Sequence, residues 1–186
     1  LFNLPRSNWD NYDQTLLSPG GMIINRREKI ITLTPEIRTC FAISAEVITP
    51  DELIRTLLRA EVDLIWFGGI GTFVKAASES HEQVGDRTND ELRVNAQDLQ
   101  CKVIGEGANL GMTQRGRIEY AAKGGRLNTD AIDNSGGVDC SDHEVNIKIL
   151  LEDPSIQQNM TVEERNTLLA KMTDEVARLV LRNNYL

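Results

Sequence analysis

Two glycine-containing turns are the first places in this sequence where chemistry could occur. The first turn is Gly68-Gly69-Ile70-Gly71, which follows one apolar run. The second turn is Gly105-Glu106-Gly107-Ala108-Asn109, which follows another apolar run. Glycine lets the backbone approach a ligand closely and adopts positive φ, and ligands of open α/β sheets bind beyond the carboxyl ends of the strands. Both turns are therefore candidate binding positions. From these residues alone, tight strand-to-helix turns without a ligand are the favoured interpretation.

The first turn does not complete a dinucleotide-binding fingerprint. If Gly69-Ile70-Gly71 opened a GxGxxG motif, its third glycine would stand at position 74, which holds Val74. That glycine permits close packing of the helix on the strand. The pattern is thus an incomplete signal for a nucleotide.

The sequence predicts no metal centre and no cysteine nucleophile. Cys140 and His143 are three residues apart, which is half of a metal-binding spacing, but no second pair completes it. A Cys–His nucleophile needs a third group that orients the base, and no such group is evident. His81 lies in a polar stretch and is predicted to be solvated.

The polar stretch Ser141-Asp142-His143-Glu144 has two interpretations. In structural terms, Ser141 at the N-cap and Glu144 three residues later form a capping box that begins a helix over about 142–151. In chemical terms, a hydroxyl and free N–H groups at a helix N-terminus can hold a carboxylate. Two other acidic residues, Glu106 and Asp130, are more typical of solvated or hydrogen-bonding carboxylates than of acid–base groups.

Two short apolar runs and one further segment predict the strands that position these residues. The run over 62–67 is interpreted as a strand buried on both faces, as in a parallel sheet. A shorter apolar run over 101–104, interrupted by Lys102, predicts a second strand, and residues 126–128 are a candidate third strand. Helical patterns stand between the runs, and this alternation predicts an α/β fold with a parallel sheet flanked by helices.

Local signals mark where the helices begin and end. Thr34 followed by Pro35 predicts one helix start, and Thr49-Pro50-Asp51-Glu52 predicts another with a capping box. A helix over 112–123 is predicted to stop at a glycine pair. Thr161 and Glu164 form a further capping box before an apolar stripe that runs to the end of the chain. Residues 1–27 are predicted to be irregular.

Composition limits the class of protein. The chain has 186 residues, a net charge of −8, 40% hydrophobic and 26% charged residues. The acidic balance disfavours nucleic acid and a polybasic membrane contact, and no apolar run approaches the roughly 20 residues of a membrane span. Three cysteines without a CxxC pair favour a reducing, cytoplasmic location. Because the sequence starts at Leu1 and ends in a helical stretch, we expect a piece of a longer protein.

Three segments together resemble the glutamate dehydrogenase family. Glu106-Gly107-Ala108-Asn109 resembles its EGAN signature, and Val62-Asp63-Leu64-Ile65 resembles the strand before its dinucleotide-contacting loop. Asn134-Ser135-Gly136-Gly137-Val138, followed by Ser141, resembles its NAGGV segment and the serine three positions after it. The order and spacing of the three segments also agree.

Longer segments are similar to the large, bacterial NAD-specific class of this family. These segments are Trp66-Phe67-Gly68-Gly69-Ile70-Gly71-Thr72, Gly85-Asp86-Arg87 and Asp139-Cys140-Ser141-Asp142-His143-Glu144-Val145-Asn146. The resemblance spans nearly the whole chain. One departure is Thr72, which stands where the smaller glutamate dehydrogenases have an asparagine.

The resemblance implies an activity and a set of ligand contacts. The family oxidatively deaminates L-glutamate to 2-oxoglutarate and ammonia and reduces NAD. By this resemblance the first turn lines the cofactor near its ribose, and Asn109 lies near the nicotinamide end. Asn134 lies close to both ligands, and Ser141 hydrogen-bonds a substrate carboxylate.

The resemblance also implies a domain organisation. Residues 1–152 correspond to the distal part of a Rossmann-like NAD-binding domain without its first Gly-rich turn, and 153–186 to a linker and a helix that leads into a following helical region. The family's catalytic lysine and aspartate belong to the preceding substrate domain, so no catalytic residue is expected here and the isolated chain is expected to be inactive. The whole protein is expected to be a homo-oligomer.

Two alternatives remain open at this point. One is a different amino-acid dehydrogenase that acts on a branched or apolar side chain, although the Ser141 hydroxyl suits a carboxylate better. The other is a non-catalytic regulatory or assembly module that retains the fold. In that case Asn109 would be a turn residue and Ser141 a helix cap.

Overall fold

Strands and helices alternate along the part of the chain that the computed structural model describes, which is residue 3 and residues 6–186. The strands are β1 (Ile31–Thr32), β2 (Val47–Ile48), β3 (Leu64–Phe67), β4 (Val74–Lys75), β5 (Val94–Asn95), β6 (Val103–Glu106) and β7 (Arg126–Leu127). The α-helices are α1 (Pro35–Cys40), α2 (Pro50–Leu58), α3 (His81–Val84), α4 (Gln114–Ala122), α5 (Asp130–Asp133), α6 (Val138–Leu151), α7 (Pro154–Gln157) and α8 (Val162–Asn183).

The central sheet confirms the predicted parallel α/β arrangement. Its strand order is β3-β6-β7, and both neighbouring pairs are parallel. The register pairs Leu64 with Val103 and Phe67 with Glu106, so β3 and β6 end side by side. The loops that follow these two strands therefore leave the same edge of the sheet.

Two smaller pairings were not predicted. β1 and β2 pair antiparallel, and β4 and β5 pair parallel beside the central sheet. Val74 of β4 also bridges to Met112, which ties the loop after β6 to this second pair. The segment expected to be irregular contains two 3₁₀ turns, Trp9–Asn11 and Gln14–Leu16, and its residues 1, 2, 4 and 5 lie outside the described residues.

The expectation that the first strand is buried on both faces is wrong. Ile65 and Phe67 pack into the main core, whereas Leu64 is 52% and Trp66 58% exposed. The Trp66 ring lies across the neighbouring strand, because a Cβ on Gly105 would come within 2.2 Å of it. An apolar run alone does not reveal which face other elements cover.

The second strand lies two residues later than predicted. It runs from Val103 to Glu106, so Gly105 and Glu106 belong to β6, and only Gly107, Ala108 and Asn109 remain as the second turn. The apolar run does not coincide with the strand for two reasons. Cys101 is buried outside the strand, against Tyr120, and the buried position at the end of the strand is the charged Glu106. The third strand, β7, lies within its predicted range.

Most predicted helix starts are confirmed by their caps. Thr34 accepts from the N–H of Ile37, and capping boxes form at Thr49 and at Thr161, which begin α2 and α8. Inside the range predicted for it, α4 begins after Thr113, whose hydroxyl accepts from a backbone N–H of the first turn.

The predicted start of α6 is wrong. The helix begins at Val138, with Gly137 as its N-cap, so Ser141 lies inside the first turn and donates its N–H to Gly137 O at 3.0 Å. The reason lies upstream: Asn134 O accepts from both Gly137 N and Val138 N, so the chain turns directly from α5 into α6. The Ser141–Glu144 pattern therefore forms no capping box.

Two groups of apolar side chains form the interior. The larger surrounds β3 and β6, and its fully buried members include Val74, Ile104 and Met112. The smaller joins Ile31 and Leu33 to Leu53. Helix α2 contributes to both, since Leu53 packs in the smaller group and Leu58 in the larger.

The long final helix packs back on α6. Near its end, Asn183 Nδ2 donates to Asp139 Oδ2 and Asn184 Nδ2 to Ser135 Oγ, both at 2.9 Å. The far end of α6, at Leu151, lies beside the start of α8, so the two helices are antiparallel. Within the described residues, no helix combines the length and the apolar character needed to cross a bilayer.

Candidate ligand-binding site at the carboxyl edge of the sheet

The first turn presents its backbone to solvent. A Cβ placed on Gly69 would meet no atom within 4 Å, and the side chain of Ile70 is 95% exposed. Gly71 has φ +127°, and a Cβ there would come within 2.2 Å of Asn89 Nδ2, so both its conformation and its surroundings require glycine. The turn is thus open at its tip and tightly packed at its base.

The base of the first turn is tied to a later segment of the chain. The N–H of Thr72 donates to Asp86 Oδ2 at 2.9 Å, and Arg93 Nε donates to Thr72 O at 2.8 Å. The hydrogen bond from the Thr72 N–H is the largest cause that lowers the pKa of Asp86 below its ordinary value. Asp86 is therefore ionised at neutral pH, and the turn is held by a charged acceptor.

Two of the predicted site residues meet at the second turn. Asn134 Nδ2 donates to Asn109 Oδ1 at 2.7 Å. Asn109 follows β6, and Asn134 caps the carboxyl end of α5. A Cβ on Gly137 would come within 2.4 Å of Asn134 Oδ1, so the glycine leaves room for this amide. The pair places two side-chain amides at the exposed carboxyl edge of the sheet.

Helix α5 fixes the second turn with two carboxylates. Asp130 Oδ2 accepts from the N–H of Leu110, and Asp133 Oδ2 accepts from the N–H of Glu106, both at 2.9 Å. These bonds bracket the second turn on both sides. The predicted role of Asp130 as a hydrogen-bonding carboxylate is confirmed.

A buried ion pair beneath the second turn was not predicted. Glu106 is fully buried, and its two carboxylate oxygens accept from Arg117 Nε at 2.6 Å and Nη2 at 2.7 Å. Arg117 Nη2 also donates to Asp130 Oδ1 at 2.9 Å. Hydrogen bonding to Glu106 raises the pKa of Arg117. The sequence does contain one signal for the burial of Glu106. It is two residues after the apolar Ile104, so a strand through both places the two side chains on the same face.

The start of α6 does not offer the free N–H groups that the sequence predicted. The N–H groups of Val138, Asp139 and Cys140 donate to the carbonyls of Asn134 and Ser135. Ser141, the fourth residue of the helix, is exposed, so its hydroxyl, and not the backbone, is the polar group available there. The helix dipole still favours an anion near this end.

The two histidines considered in the sequence lie beside charged side chains. His81 is half exposed and lies 3.0 Å from Arg93 Nη1 through its Nδ1. His143 Nδ1 lies against Asp139 within α6. Within residue 3 and residues 6–186, no three His, Cys, Asp or Glu side chains converge in a group that could hold a metal ion.

The sequence matches a known family along its whole length. Residues 1–186 match the family described as bacterial NAD-glutamate dehydrogenase, catalytic domain. The chain belongs to this family. The resemblance seen in the motifs is thereby confirmed, and the fold agrees with a partial Rossmann-like sheet.

Curated relatives of this glutamate dehydrogenase family chain are much longer proteins. It is 58% identical over 185 residues to the NAD-specific glutamate dehydrogenase of Pseudomonas aeruginosa, 55% over 185 residues to that of Halomonas elongata and 53% over 190 residues to that of Mycobacterium tuberculosis. The matches cover 99–100% of this chain. The chain spans only 11–12% of the length of these relatives.

Proposed function

We propose that this chain is part of an NAD-dependent glutamate dehydrogenase that converts L-glutamate to 2-oxoglutarate and ammonia. The observation that carries the proposal is the match of the whole chain, at 53–58% identity, to proteins named for this activity. Residues 1–152 would be the distal part of the NAD-binding domain, and 153–186 would lead into a following helical region. The oligomeric state of the whole enzyme stays a prediction from the resemblance.

The carboxyl edge of the sheet fits a dinucleotide. The open backbone of the first turn, together with the amides of Asn109 and Asn134, would hold NAD without placing a charge against its phosphates. When bound, NAD accepts a hydride from the substrate carbon. The contribution of these residues is to orient the two reactants, since hydride transfer requires a near-attack geometry.

The polar groups at the start of α6 would recognise glutamate. Ser141 has a hydroxyl that can donate to a carboxylate, and the positive end of the helix dipole favours an anion beside it. Asn134 bonds Asn109 through its side-chain amide, and its carbonyl accepts from Val138 N at the start of α6, so one residue would contact both ligands. We assign no acid–base role to this chain, and we expect it to be inactive alone.

Replacement of Ser141 tests the substrate role in the whole protein. Because Gly137 and not Ser141 caps α6, Ser141→Ala should change the free energy of unfolding by no more than about 0.5 kcal/mol. A role in carboxylate binding predicts a rise of about ten-fold or more in the KM for glutamate. The KM for NAD should change little. Steady-state kinetics and denaturant unfolding measure these quantities.

Matched controls separate this role from a structural one. Ser141→Thr keeps the hydroxyl and should retain most of the affinity for glutamate. An unchanged KM for glutamate in Ser141→Ala would contradict the substrate role of Ser141. Wild-type protein that oxidises leucine instead of glutamate would favour the alternative dehydrogenase, and wild-type protein with neither activity would favour a non-catalytic module.

A further inference from the structure

A buried arginine lies behind the first turn, outside the candidate ligand contacts. The side chain of Arg93 is 0% exposed. Its guanidinium donates to Thr72 O at 2.8 Å, to Asp90 Oδ1 at 2.6 Å and to Asp86 O at 2.5 Å, and Nη1 lies 3.0 Å from His81 Nδ1. A buried cation is costly unless it is paired and hydrogen-bonded, and here each nitrogen has a partner.

Asp86 binds the backbone N–H of Thr72, the residue whose carbonyl Arg93 binds. Its Oδ2 accepts from the Thr72 N–H at 2.9 Å and from Asn89 Nδ2 at 2.8 Å. The carboxylate also lies 3.8 Å from Arg93 Nη2. As a result, both backbone groups of Thr72 are bound by charged side chains from one segment, residues 86–93, and neither is bonded as part of a strand or helix.

These hydrogen bonds hold the end of the first turn at Gly71 and Thr72, whereas its tip at Gly69 and Ile70 is exposed to solvent. The Asn89 amide packs against Gly71, where no Cβ would fit, while Gly69 and Ile70 face solvent. A short loop that only connects β3 to β4 could be held by apolar packing. A buried, fully paired guanidinium instead fixes both the position and the orientation of the turn backbone at Thr72, because each of its donors must meet a particular acceptor.

We infer that Asp86 and Arg93 are positioning residues for cofactor binding. They clamp Thr72 at its N–H and C=O and thereby set the shape of the first turn that contacts NAD. The inference rests on the proposed function, since it assigns a purpose to the shape of that turn. Neither side chain is placed in contact with the reacting atoms.

Asp86→Ala in the whole protein tests the clamp. The turn should become mobile, so the KM for NAD should rise by about ten-fold, the scale of one lost charge-assisted hydrogen bond. The KM for glutamate at saturating NAD should stay within about two-fold of wild type. Hydrogen exchange at the Thr72 amide should become faster. Asp86→Asn retains an oxygen that can accept from Thr72 and should recover most of the affinity for NAD.

Asp98→Ala is the matched control. Asp98 is 32% exposed and pairs with Arg59 at 3.5 Å, whereas Asp86 is 25% exposed, and Asp98 is not among the partners of Thr72. An NAD KM in Asp86→Ala within about two-fold of wild type, or no higher than in Asp98→Ala, would overturn the inference. Equal rises in the KM for NAD and for glutamate would do the same.

The exchange measurement distinguishes failure of the clamp from failure of the proposed function. If wild-type protein produces no NADH from glutamate, the proposed function is overturned. Thr72 exchange then still decides whether Asp86 holds the turn: faster exchange in Asp86→Ala, but not in Asp98→Ala, supports the clamp, and unchanged exchange overturns it.

Discussion

At the scale of single residues, the ion pair of Glu106 and Arg117 is buried at the end of β6, where the strand pattern predicts an apolar side chain. Glu106 shares the inward face of β6 with Ile104, and Arg117 reaches it from α4. The sequence predicted a hydrogen-bonding or solvated carboxylate at this position. Its inward position could be anticipated from its spacing to Ile104, but its partner Arg117 stands eleven residues later, and no local signal indicates that pairing.

Loss of the Glu106 charge should destabilise the protein strongly. Glu106→Gln removes one of the two carboxylates that pair with the buried Arg117 among the described residues and leaves Asp130, and breaking a buried pair costs about 3–5 kcal/mol. Denaturant unfolding measures the loss. Asp63→Asn is the control, because the Asp63–Lys102 pair is almost fully exposed, and it should leave stability nearly unchanged. Equal effects of the two variants would contradict this account.

Tyr120 should make the stability depend on pH in the alkaline range. Its hydroxyl donates to Cys101 O at 2.8 Å, and burial raises its pKa well above the ordinary value. Above about pH 10 the unfolded chain releases the Tyr120 proton while the folded chain keeps it, so stability falls as pH rises. Below about pH 10 this contribution is fully present.

Comparison of Tyr120→Phe with wild type at two pH values tests this dependence. At neutral pH the variant should lose about 1 kcal/mol with its hydrogen bond. Between pH 9 and 11 it should lose less stability than wild type, because phenylalanine does not titrate. Tyr185→Phe, at a position 90% exposed, should keep the wild-type slope. A wild-type slope in Tyr120→Phe would refute the assignment.

At the scale of secondary-structure elements, the capping-box pattern, Ser or Thr followed three residues later by Glu, marks a helix start at two positions but not at Ser141. Thr49 with Glu52, and Thr161 with Glu164, form the capping boxes that the sequence predicts. Ser141 with Glu144 does not, because α5 and Gly137 already direct the chain into the helix. A capping pattern predicts a helix start only where the preceding residues leave the chain extended.

Removal of the cap of α8 should be measurable against a matched threonine in the same helix. Thr161→Ala loses the hydroxyl that accepts from the Glu164 N–H and should cost about 1 kcal/mol. Thr173 is exposed inside the helix, and Thr173→Ala should be neutral or slightly stabilising because alanine has the higher helix propensity. Thermal unfolding of both variants decides the matter. A smaller loss for Thr161→Ala than for Thr173→Ala would contradict the assignment.

At the scale of the whole molecule, the parallel sheet could be predicted but its neighbours could not. Apolar runs mark β3 and β6, and the alternation of strands with helices indicates the fold class. By contrast, β1, β2, β4 and β5 have two residues each, which is too short for any periodicity, and β7, equally short, is predicted only as a candidate between two helical stretches. Their pairing is set by tertiary contacts, such as the smaller core that Leu53 shares with Ile31.

The exposed face of the sheet predicts self-association of the chain when it is produced alone. Leu64 and Trp66 are more than half exposed on β3, and Val103 lies beside Leu64 on β6. β3 is also at the edge of its sheet within the described residues, and such edges pair readily. Sedimentation should reveal oligomers that Leu64→Lys weakens, whereas Leu181→Lys on α8, 60% exposed in wild type, should not. A strict monomer at high concentration would contradict this.

The position of Trp66 gives the protein an optical signal at its own binding edge. Its indole nitrogen lies over Gly107, two residues before Asn109, and 58% of the side chain faces solvent. Indole fluorescence responds to the polarity of its surroundings, so a ligand that settles on the second turn should shift or quench the emission. The other tryptophan of these 186 residues is Trp9, and Trp9→Phe in a protein of these 186 residues would leave one indole emitter. Titration of that variant with NAD should then give a saturable change in fluorescence that free tryptophan does not show.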